Sequence, residues 1–221
     1  ASMRGIAQRS KAKKHSVYDD NTSKLLERSL DALSSFIGNL MENTTRTQGW
    51  RFLQIGRRIE RAIAISNMLR SCFVEQAFDD EILILKLLSW GDSAMTYRTR
   101  YITQPRLAPV VDLLLTDETN PRSVAFQAWT MVEHVRGLPR EPNAATLSRE
   151  EYLVELMASR LRLADIQALA DEQTEAGERT ALQAFLAEVE GLAADLSDAL
   201  ARKYFSHVLP TRSGYAGRAE P

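Results

Sequence analysis

The stretch Gly49-Trp50-Arg51-Phe52-Leu53-Gln54-Ile55-Gly56-Arg57-Arg58-Ile59-Glu60-Arg61 predicts a helix that continues to about Leu69. At about 100° per residue, one line along this helix is mainly apolar and contains Phe52, Ile55, Ile59, Ile63 and Ser66. A second line lies nearly opposite and contains Trp50, Arg57, Arg61, Ala64 and Met68. Because large apolar side chains occur on both sides, we expect the helix to run through the middle of a helical bundle.

Three charged residues of this helix, Arg57, Glu60 and Arg61, are spaced for pairing. Positions three and four apart are neighbours on a helix surface. Two arginines and one glutamate in a partly buried setting leave a positive charge, which requires an anion from the protein or from a ligand. This excess charge is the main indication of function in the sequence.

The composition, with 44% apolar and 26% charged residues, is that of an ordinary soluble globular protein. The chain has 28 basic and 29 acidic side chains, and its net charge of −1 argues against a dedicated nucleic-acid-binding protein. A single cysteine excludes an intrachain disulfide and fits a reducing cytoplasm. No apolar run approaches the roughly 20 residues of a membrane span, so we expect a cytoplasmic protein without a membrane anchor.

Helical periodicity and capping residues occur along most of the chain, and we find no strand pattern. They predict an all-α fold, a bundle of six or seven helices, in which Gly91 kinks one helix without ending it. The predicted organisation is a flexible basic tail at 1–22, one helical domain at 23–205 and a flexible tail at 206–221. Within the domain, residues 148–205 are expected to form a C-terminal antiparallel α-hairpin that opens with a capping box.

The clearest helix start in the sequence follows Asp117. Asn120 as the N-cap and Pro121 at the first helical position predict a helix that begins there. Arg122 then lies in the first turn, where the positive helix terminus repels it. It is expected either to reach a carboxylate, Asp117 or Asp112, or to join the free N–H groups in binding an anion.

Polar residues from three segments form one candidate site for an anion or a partner. Its members are Arg57, Glu60, Arg61, Asp92, Tyr97, Arg98, Arg100, Asp117, Asn120 and Arg122. One interpretation is a buried ion-pair network that holds three helices in register. The charge count favours another, since five arginines accompany three carboxylates and such an excess suits the recognition of a phosphate or a carboxylate.

Motifs for catalysis or cofactor binding are absent from the sequence. There is no Gly-rich phosphate-binding loop and no Glu-x-x-His arrangement. The three histidines are far apart, and the spacing indicates no Ser/His/Asp or Cys/His set. We therefore expect no metal and no cofactor, assign no catalytic residue, and find little support for an enzyme that acts alone.

Three motifs in order resemble the bacterial alpha-E family, which is all-helical and of uncharacterised biochemistry. They are the stretch Gly49 to Arg61, then Trp90-Gly91-Asp92-Ser93 with Tyr97-Arg98-x-Arg100-Tyr101, then Asp117-x-x-Asn120-Pro121-Arg122-Ser123. The resemblance covers about residues 23–205. The family's usual earlier Gly-Arg-x-x-Glu-Arg helix has only a partial counterpart in Leu26-Glu27-Arg28, and the chain does not begin with methionine. It is therefore similar to the later two-thirds of the domain, and we expect it to be a fragment of a longer protein.

The resemblance also implies a biochemical setting. Members of the family are typically encoded beside, or fused to, a circularly permuted ATP-grasp protein, often near a transglutaminase-like protease. This context implies a non-catalytic helical module that binds an ATP-grasp ligase or its peptide product in an amide- or peptide-ligation system. The alternative is an enzyme, or an enzyme subunit, that acts on an anionic substrate through the Arg/Glu cluster. RNA binding is disfavoured by the near-neutral charge, and a homo-oligomer is expected because the missing first motif leaves apolar surface uncovered.

Overall fold

All regular structure in the part of the chain described by the computed structural model is helical, so the prediction of an all-α fold is confirmed. The described residues are 3–73, 80–101, 104, 106–140, 146–171, 173–174 and 178–206. The helices are α1 (Met3–Asn43), α2 (Gln48–Phe73), α3 (Asp80–Trp90), α4 (Ala94–Tyr101), α5 (Leu107–Val111), α6 (Val124–Arg136), α7 (Arg149–Arg162), α8 (Ile166–Asp171) and α9 (Thr180–Leu200), with π-helical turns at Asp112–Thr116 and Ala201–Phe205. Within the described ranges, no helix combines the length and the apolar character that crossing a membrane requires. Of the predicted C-terminal tail, residues 207–221 lie outside these ranges.

The chain divides into two units, and the first, Ala1–Trp50, contains α1 and the start of α2. The backbone is helical from Met3, so most of the segment 1–22, predicted as a flexible tail, lies within α1. Three alanines, three lysines and two arginines, which favour helices, occur in it. Arg46 closes the turn between α1 and α2, because its guanidinium lies 3.7 Å from the ring centroid of Trp50.

The core of the second unit, Arg51–Pro221, is formed mainly by α5 to α9 and the first π-helical turn. This turn, Asp112–Thr116, contains three consecutive leucines that are completely buried, so other elements cover it on all sides. α6 packs against α7, and α7 packs against α9. Ion pairs join Arg149, at the start of α7, to the later part of α9, and Arg160, near its end, to Glu188 in the earlier part. α7 and α9 are therefore antiparallel.

α2 buries one face in the second unit and exposes the other. Ile55, Ile59 and Ser66 of the predicted apolar stripe are buried. On the second line, however, Arg61 and Ala64 are exposed. The expectation that α2 runs through the middle of a bundle is therefore wrong. The exposed residues of the second line are one arginine and one alanine, which lose little by facing water.

The segment predicted as one kinked helix is instead two helices, α3 and α4, separated by a turn. Gly91 is buried at this turn, and a Cβ atom added to it would lie 3.3 Å from a methyl carbon of Leu114. Asp92 follows with φ of 46°, in the left-handed region where aspartate is among the few side chains tolerated. This break and the short α8 explain why there are more helices than the six or seven predicted.

α6 begins later than the sequence predicts. Its N-cap is Ser123, whose hydroxyl oxygen accepts a hydrogen bond of 3.0 Å from the backbone N–H of Phe126. Asn120, the predicted N-cap, has its side-chain amide engaged elsewhere. Its Nδ2 donates to the carbonyl oxygen of Leu113 at 2.8 Å, and its Oδ1 accepts from the backbone N–H of Arg122 at 3.0 Å. Asn120 therefore fixes the turn before α6 and does not cap the helix.

Candidate anion-binding site

Seven of the ten candidate residues fall into two groups within the second unit. One group surrounds a surface pocket, and the other forms a network around the buried carboxylate of Asp117. Glu60 and Arg98, which are exposed, and Arg57, which is half-buried on α2, belong to neither group. Glu60 forms no ion pair with Arg57 or Arg61, contrary to the pairing expected from their spacing. An ion pair in such an exposed position contributes little energy, so helical spacing alone does not enforce it.

The pocket, of about 180 Å³, lies between α2, the end of α3 and the turn before α6. The described residues that line it are Arg61, Ala64, Ile65, Met68, Trp90, Gly91 and Arg122. The four residues from α2 have the spacing of one helical face. Trp90, the last residue of α3, is 64% exposed and forms an aromatic wall. The pocket thus has mainly apolar walls and an arginine from each of two segments.

Contacts between α2 and α6 explain how the two arginines come together. Arg51 lies against Gly137 at the end of α6, where a Cβ atom added to the glycine would lie 2.3 Å from the arginine Cζ. Arg58 donates from Nη1 to Oε1 of Gln127, near the start of α6, at 2.8 Å. The two helices are therefore antiparallel. Arg61 follows Arg58 by nearly one helical turn of α2 and therefore lies beside the loop that precedes α6.

The arginines of α2 are crowded by other positive charges. Partial burial, together with the nearby charges of Arg122 and Arg57, lowers the pKa of Arg61 below its ordinary value. Burial, with the charges of Arg61 and Arg57, likewise lowers the pKa of Arg58. Among the described residues, no carboxylate lies within ion-pair distance of Arg58 or Arg61. This side of α2 therefore carries positive charge that the described carboxylates do not balance.

Asp117 is the centre of the second group. Its side chain is 4% exposed, and its Oδ1 accepts hydrogen bonds from the backbone N–H of Thr119 at 2.9 Å and from the hydroxyl of Thr119 at 2.7 Å. Its Oδ2 forms an ion pair with Arg100. Burial raises the pKa of Asp117, but the bonds from Thr119 and the charge of Arg100 outweigh it, and the pKa lies below its ordinary value. This network links α4 to the turn before α6 and is structural.

Tyr97 and Tyr101 of α4 extend the same network. Their ring centroids are 5.0 Å apart. Tyr97 is buried, and its hydroxyl oxygen accepts a hydrogen bond of 3.1 Å from the backbone N–H of Arg106. The hydroxyl of Tyr101 donates to Oδ2 of Asp112 at 2.5 Å, and burial together with this bond raises the pKa of Tyr101. Both side chains thus hold α4 in place and lie outside the pocket lining.

Arg122 has a partner other than the two expected carboxylates. Nη2 of Arg122 lies 2.8 Å from Oδ2 of Asp92, and both side chains are exposed. Asp117 and Asp112, the expected partners, are engaged by an arginine and by Tyr101 of α4. The turn between α3 and α4 therefore brings one carboxylate to the rim of the pocket.

Five residues that line the pocket were not among the candidates predicted from the sequence: Ala64, Ile65, Met68, Trp90 and Gly91. Three of them follow Arg61 at helical spacing, so the position of Arg61 on its helix contains the signal that identifies them. Trp90 belongs to the second motif, but only the packing of α3 beside α2 places it at the pocket.

The geometry defines an all-helical domain with an arginine-rimmed pocket on its second helix. The chain belongs to the Alpha-E family, described as a predicted alpha-helical domain with a conserved ER motif, whose model matches residues 3–205. The resemblance noted in the sequence is thus confirmed. Glu60 and Arg61 form such a Glu-Arg pair, in which the arginine lines the pocket and the glutamate is exposed.

Relatives of the chain include uncharacterised proteins of Mycobacterium bovis and Mycobacterium tuberculosis. Each is 29% identical over 161 residues, which cover 72% of this chain and 18% of the relative. The match therefore spans less than a fifth of these longer proteins. No solved structure matches the chain significantly.

Proposed function

We propose that this chain is a non-catalytic helical module of an ATP-grasp-associated amide- or peptide-ligation system, and that it binds the ligase or its peptide product. The observation that carries the proposal is the pocket, in which Arg61 and Arg122 flank apolar walls. A peptide or protein partner with an acidic group offers the charge that this arrangement lacks. The link to ATP-grasp proteins rests on membership of the Alpha-E family.

The pocket lining favours binding over catalysis. The described residues that line it include no Ser, Cys, His, Asp or Glu. The lining itself therefore offers neither a nucleophile nor a general base, the groups that acyl or phosphoryl transfer most often requires from side chains. The alternative, an enzyme subunit that acts on an anionic substrate, requires those groups from the partner or from Asp92, whose carboxylate is paired with Arg122 at the rim.

α1 supports a role in partner binding independently of the pocket. Five large apolar side chains on it, each 57–65% exposed, are Leu25, Leu26, Leu30, Leu33 and Phe36. Exposed apolar stripes of this kind are typical of surfaces that another polypeptide covers. We propose that the ligase contacts α1, and that the chain self-associates through the same stripe when the ligase is absent. The buried free thiol of Cys72 fits the proposed location in the cytoplasm.

Surface plasmon resonance with the ATP-grasp protein encoded nearest to the gene for this chain tests the proposal. We expect saturable binding of the parent chain. Arg61→Gln should bind at least about 10-fold more weakly, because it loses the hydrogen bond between the charged guanidinium and the acidic group of the partner. Arg202→Gln is the matched control, since Arg202 is 71% exposed and pairs only loosely, at 3.8 Å, with Asp198.

Two further results bear on the partner surface. Leu30→Glu introduces a charge into the α1 stripe and should weaken ligase binding, and it should also abolish any concentration-dependent increase in mass measured by light scattering. If the parent chain binds neither the ligase nor its peptide product, the proposed function is wrong. If Arg61→Gln and Arg202→Gln bind the ligase equally well, the pocket does not contribute to ligase binding.

A further inference from the structure

The size of the pocket limits what it can hold. Its volume of about 180 Å³ is below the roughly 300–1,000 Å³ of sites for drug-sized ligands. An apolar cavity of about 150 Å³ accommodates a benzene ring. The pocket therefore encloses a group of the size of a single side chain or ring.

The walls of the pocket define the chemistry of that group. Ala64, Ile65 and Met68 form the α2 side, and Trp90 forms the opposite wall. Methionine and tryptophan contribute polarizable and aromatic surface, which favours contact with an aliphatic or aromatic group. The part of the ligand inside the pocket is therefore apolar.

The charge of the residues at the rim indicates how much negative charge the bound anion carries. Arg61 has no carboxylate partner among the described residues, and Arg122 shares its charge with Asp92 at 2.8 Å. The two lining arginines and the aspartate paired with one of them carry a net positive charge of one. This charge matches a carboxylate, which carries one negative charge, better than a phosphate monoester, which carries about 1.5 to 2.

We propose that the pocket binds a free carboxylate attached to an apolar group of side-chain size, as found at the C-terminal residue of a peptide that ends in phenylalanine, leucine or methionine. Arg61 and Arg122 bind the carboxylate, while the α2 face and Trp90 enclose the side chain. This inference rests on the proposed function, because it names the group by which a peptide product is recognised.

In this proposal, Asp92 lowers the affinity of the pocket for its carboxylate ligand. It lies in the left-handed region and holds its carboxylate against Arg122, so an incoming carboxylate competes with it for the same guanidinium. Asparagine tolerates the same backbone conformation without the charge. Asp92→Asn should therefore bind the carboxylate ligand more tightly, by roughly 2- to 5-fold, the value of one exposed ion pair.

The test uses N-acetyl-L-phenylalanine as the probe and NMR titration of the tryptophan indole N–H signals as the readout. The chain has three tryptophans, and Trp90→Phe identifies the signal of Trp90. N-acetyl-L-phenylalanine amide removes the charge, N-acetylglycine removes the apolar group, and inorganic phosphate replaces the carboxylate. We expect the acid to shift the Trp90 signal and to bind at least about 10-fold more tightly than each of the other three.

Variants of single arginines show which residues bind the carboxylate of the acid. Arg61→Gln and Arg122→Gln should each weaken binding of the acid by about 10-fold, whereas Arg202→Gln should leave it unchanged. Equal affinity for the acid and its amide overturns the inference, and so does tighter binding of phosphate than of the acid. An Asp92→Asn variant that binds the acid more weakly than the parent contradicts the role given to Asp92.

The outcomes also separate this inference from the proposed function. If the acid binds in an Arg61-dependent manner but the ligase and its product do not bind, the ligand class stands and the ligation role fails. If the ligase binds and N-acetyl-L-phenylalanine neither competes with it nor shifts Trp90, the ligand class is wrong and the ligation role stands.

Discussion

Replacement of Asp117 by asparagine isolates one ion pair, because the two oxygens of this carboxylate have different partners. Oδ1 accepts both hydrogen bonds from Thr119, and Oδ2 pairs with Arg100. An asparagine that keeps its oxygen toward Thr119 retains those two bonds. Its Nδ2 then faces a guanidinium, which is also a donor, so the interaction with Arg100 is lost.

The expected loss in the free energy of unfolding is about 2 kcal/mol, within the range for one hydrogen bond to a charged group. It stays below the roughly 3–5 kcal/mol for breaking a fully buried pair, because the Arg100 side chain is 45% exposed and water solvates it when it is unpaired. Asp117→Ala loses all three interactions, so we expect about 4 kcal/mol for it.

The effect should depend on pH with a defined sign. The pKa of Asp117 is lower in the folded state than its ordinary value of about 3.9 in the unfolded chain. The stabilisation is therefore fully present above that value and is lost as the pH falls through the lower, folded-state pKa. The gap between the parent chain and Asp117→Asn should be full at pH 7 and should shrink below about pH 4.

Urea unfolding followed by far-UV circular dichroism measures both quantities, provided that the slope with denaturant is the same for parent and variant. Asp198→Asn is the control, since Asp198 forms an exposed ion pair and its loss should change little. A loss below about 0.5 kcal/mol for Asp117→Asn, or a gap that is the same at pH 7 and at low pH, would refute this account of the network.

Three other substitutions test local features. Gly137→Ala should change the free energy of unfolding by less than about 1 kcal/mol in urea titrations, because φ of −89° permits alanine and only the flexible end of Arg51 must move. Ser148→Ala removes the side-chain half of the capping box, in which the Ser148 hydroxyl oxygen accepts from the backbone N–H of Glu151, and should cost about 1 kcal/mol in the same assay; an unchanged value speaks against the cap. Burial lowers the pKa of His134, so the parent chain should lose thermal stability as the pH falls below about 6.5, and His134→Gln should remove this dependence.

Features set by neighbouring residues could be predicted from the sequence. The capping box at Ser148 is confirmed, because its partners lie three residues apart and need no tertiary contact. The buried stripe of α2 is confirmed at Ile55 and Ile59, since helical periodicity determines which side chains share a face.

Features set by distant contacts could not be predicted in the same way. The sequence around Asn120 is typical of an N-cap. In the structure, however, its side-chain amide donates to the carbonyl oxygen of Leu113, seven residues earlier, and the N-cap of α6 is Ser123. α3 ends where Gly91 lies close to Leu114 and Asp92 adopts a positive φ, a contact and a conformation that no local pattern contains. The pocket also could not be predicted from local sequence, because only tertiary packing brings α2 close to the end of α3.

The charge count across the candidate residues predicted an excess of positive charge but gave it no location. The structure pairs Arg100 with Asp117 and Arg122 with Asp92, and it leaves Arg61 without a carboxylate among the described residues. Arg98 also has no carboxylate at ion-pair distance among the described residues, but of these two arginines only Arg61 lines the pocket.

The two groups of polar residues are therefore physically connected, although only one lines the pocket. Asn120 and the hydroxyl of Ser123 hold the turn that carries Arg122, the hydroxyl by donating to the backbone carbonyl of Asp117. Arg61 is held separately, by the packing of α2. The buried network therefore fixes the backbone that carries Arg122, and the packing of α2 fixes the backbone that carries Arg61, although the two positive charges repel each other. The anion that we propose for this pocket would relieve that repulsion, and the backbone positions of both arginines are set before it binds.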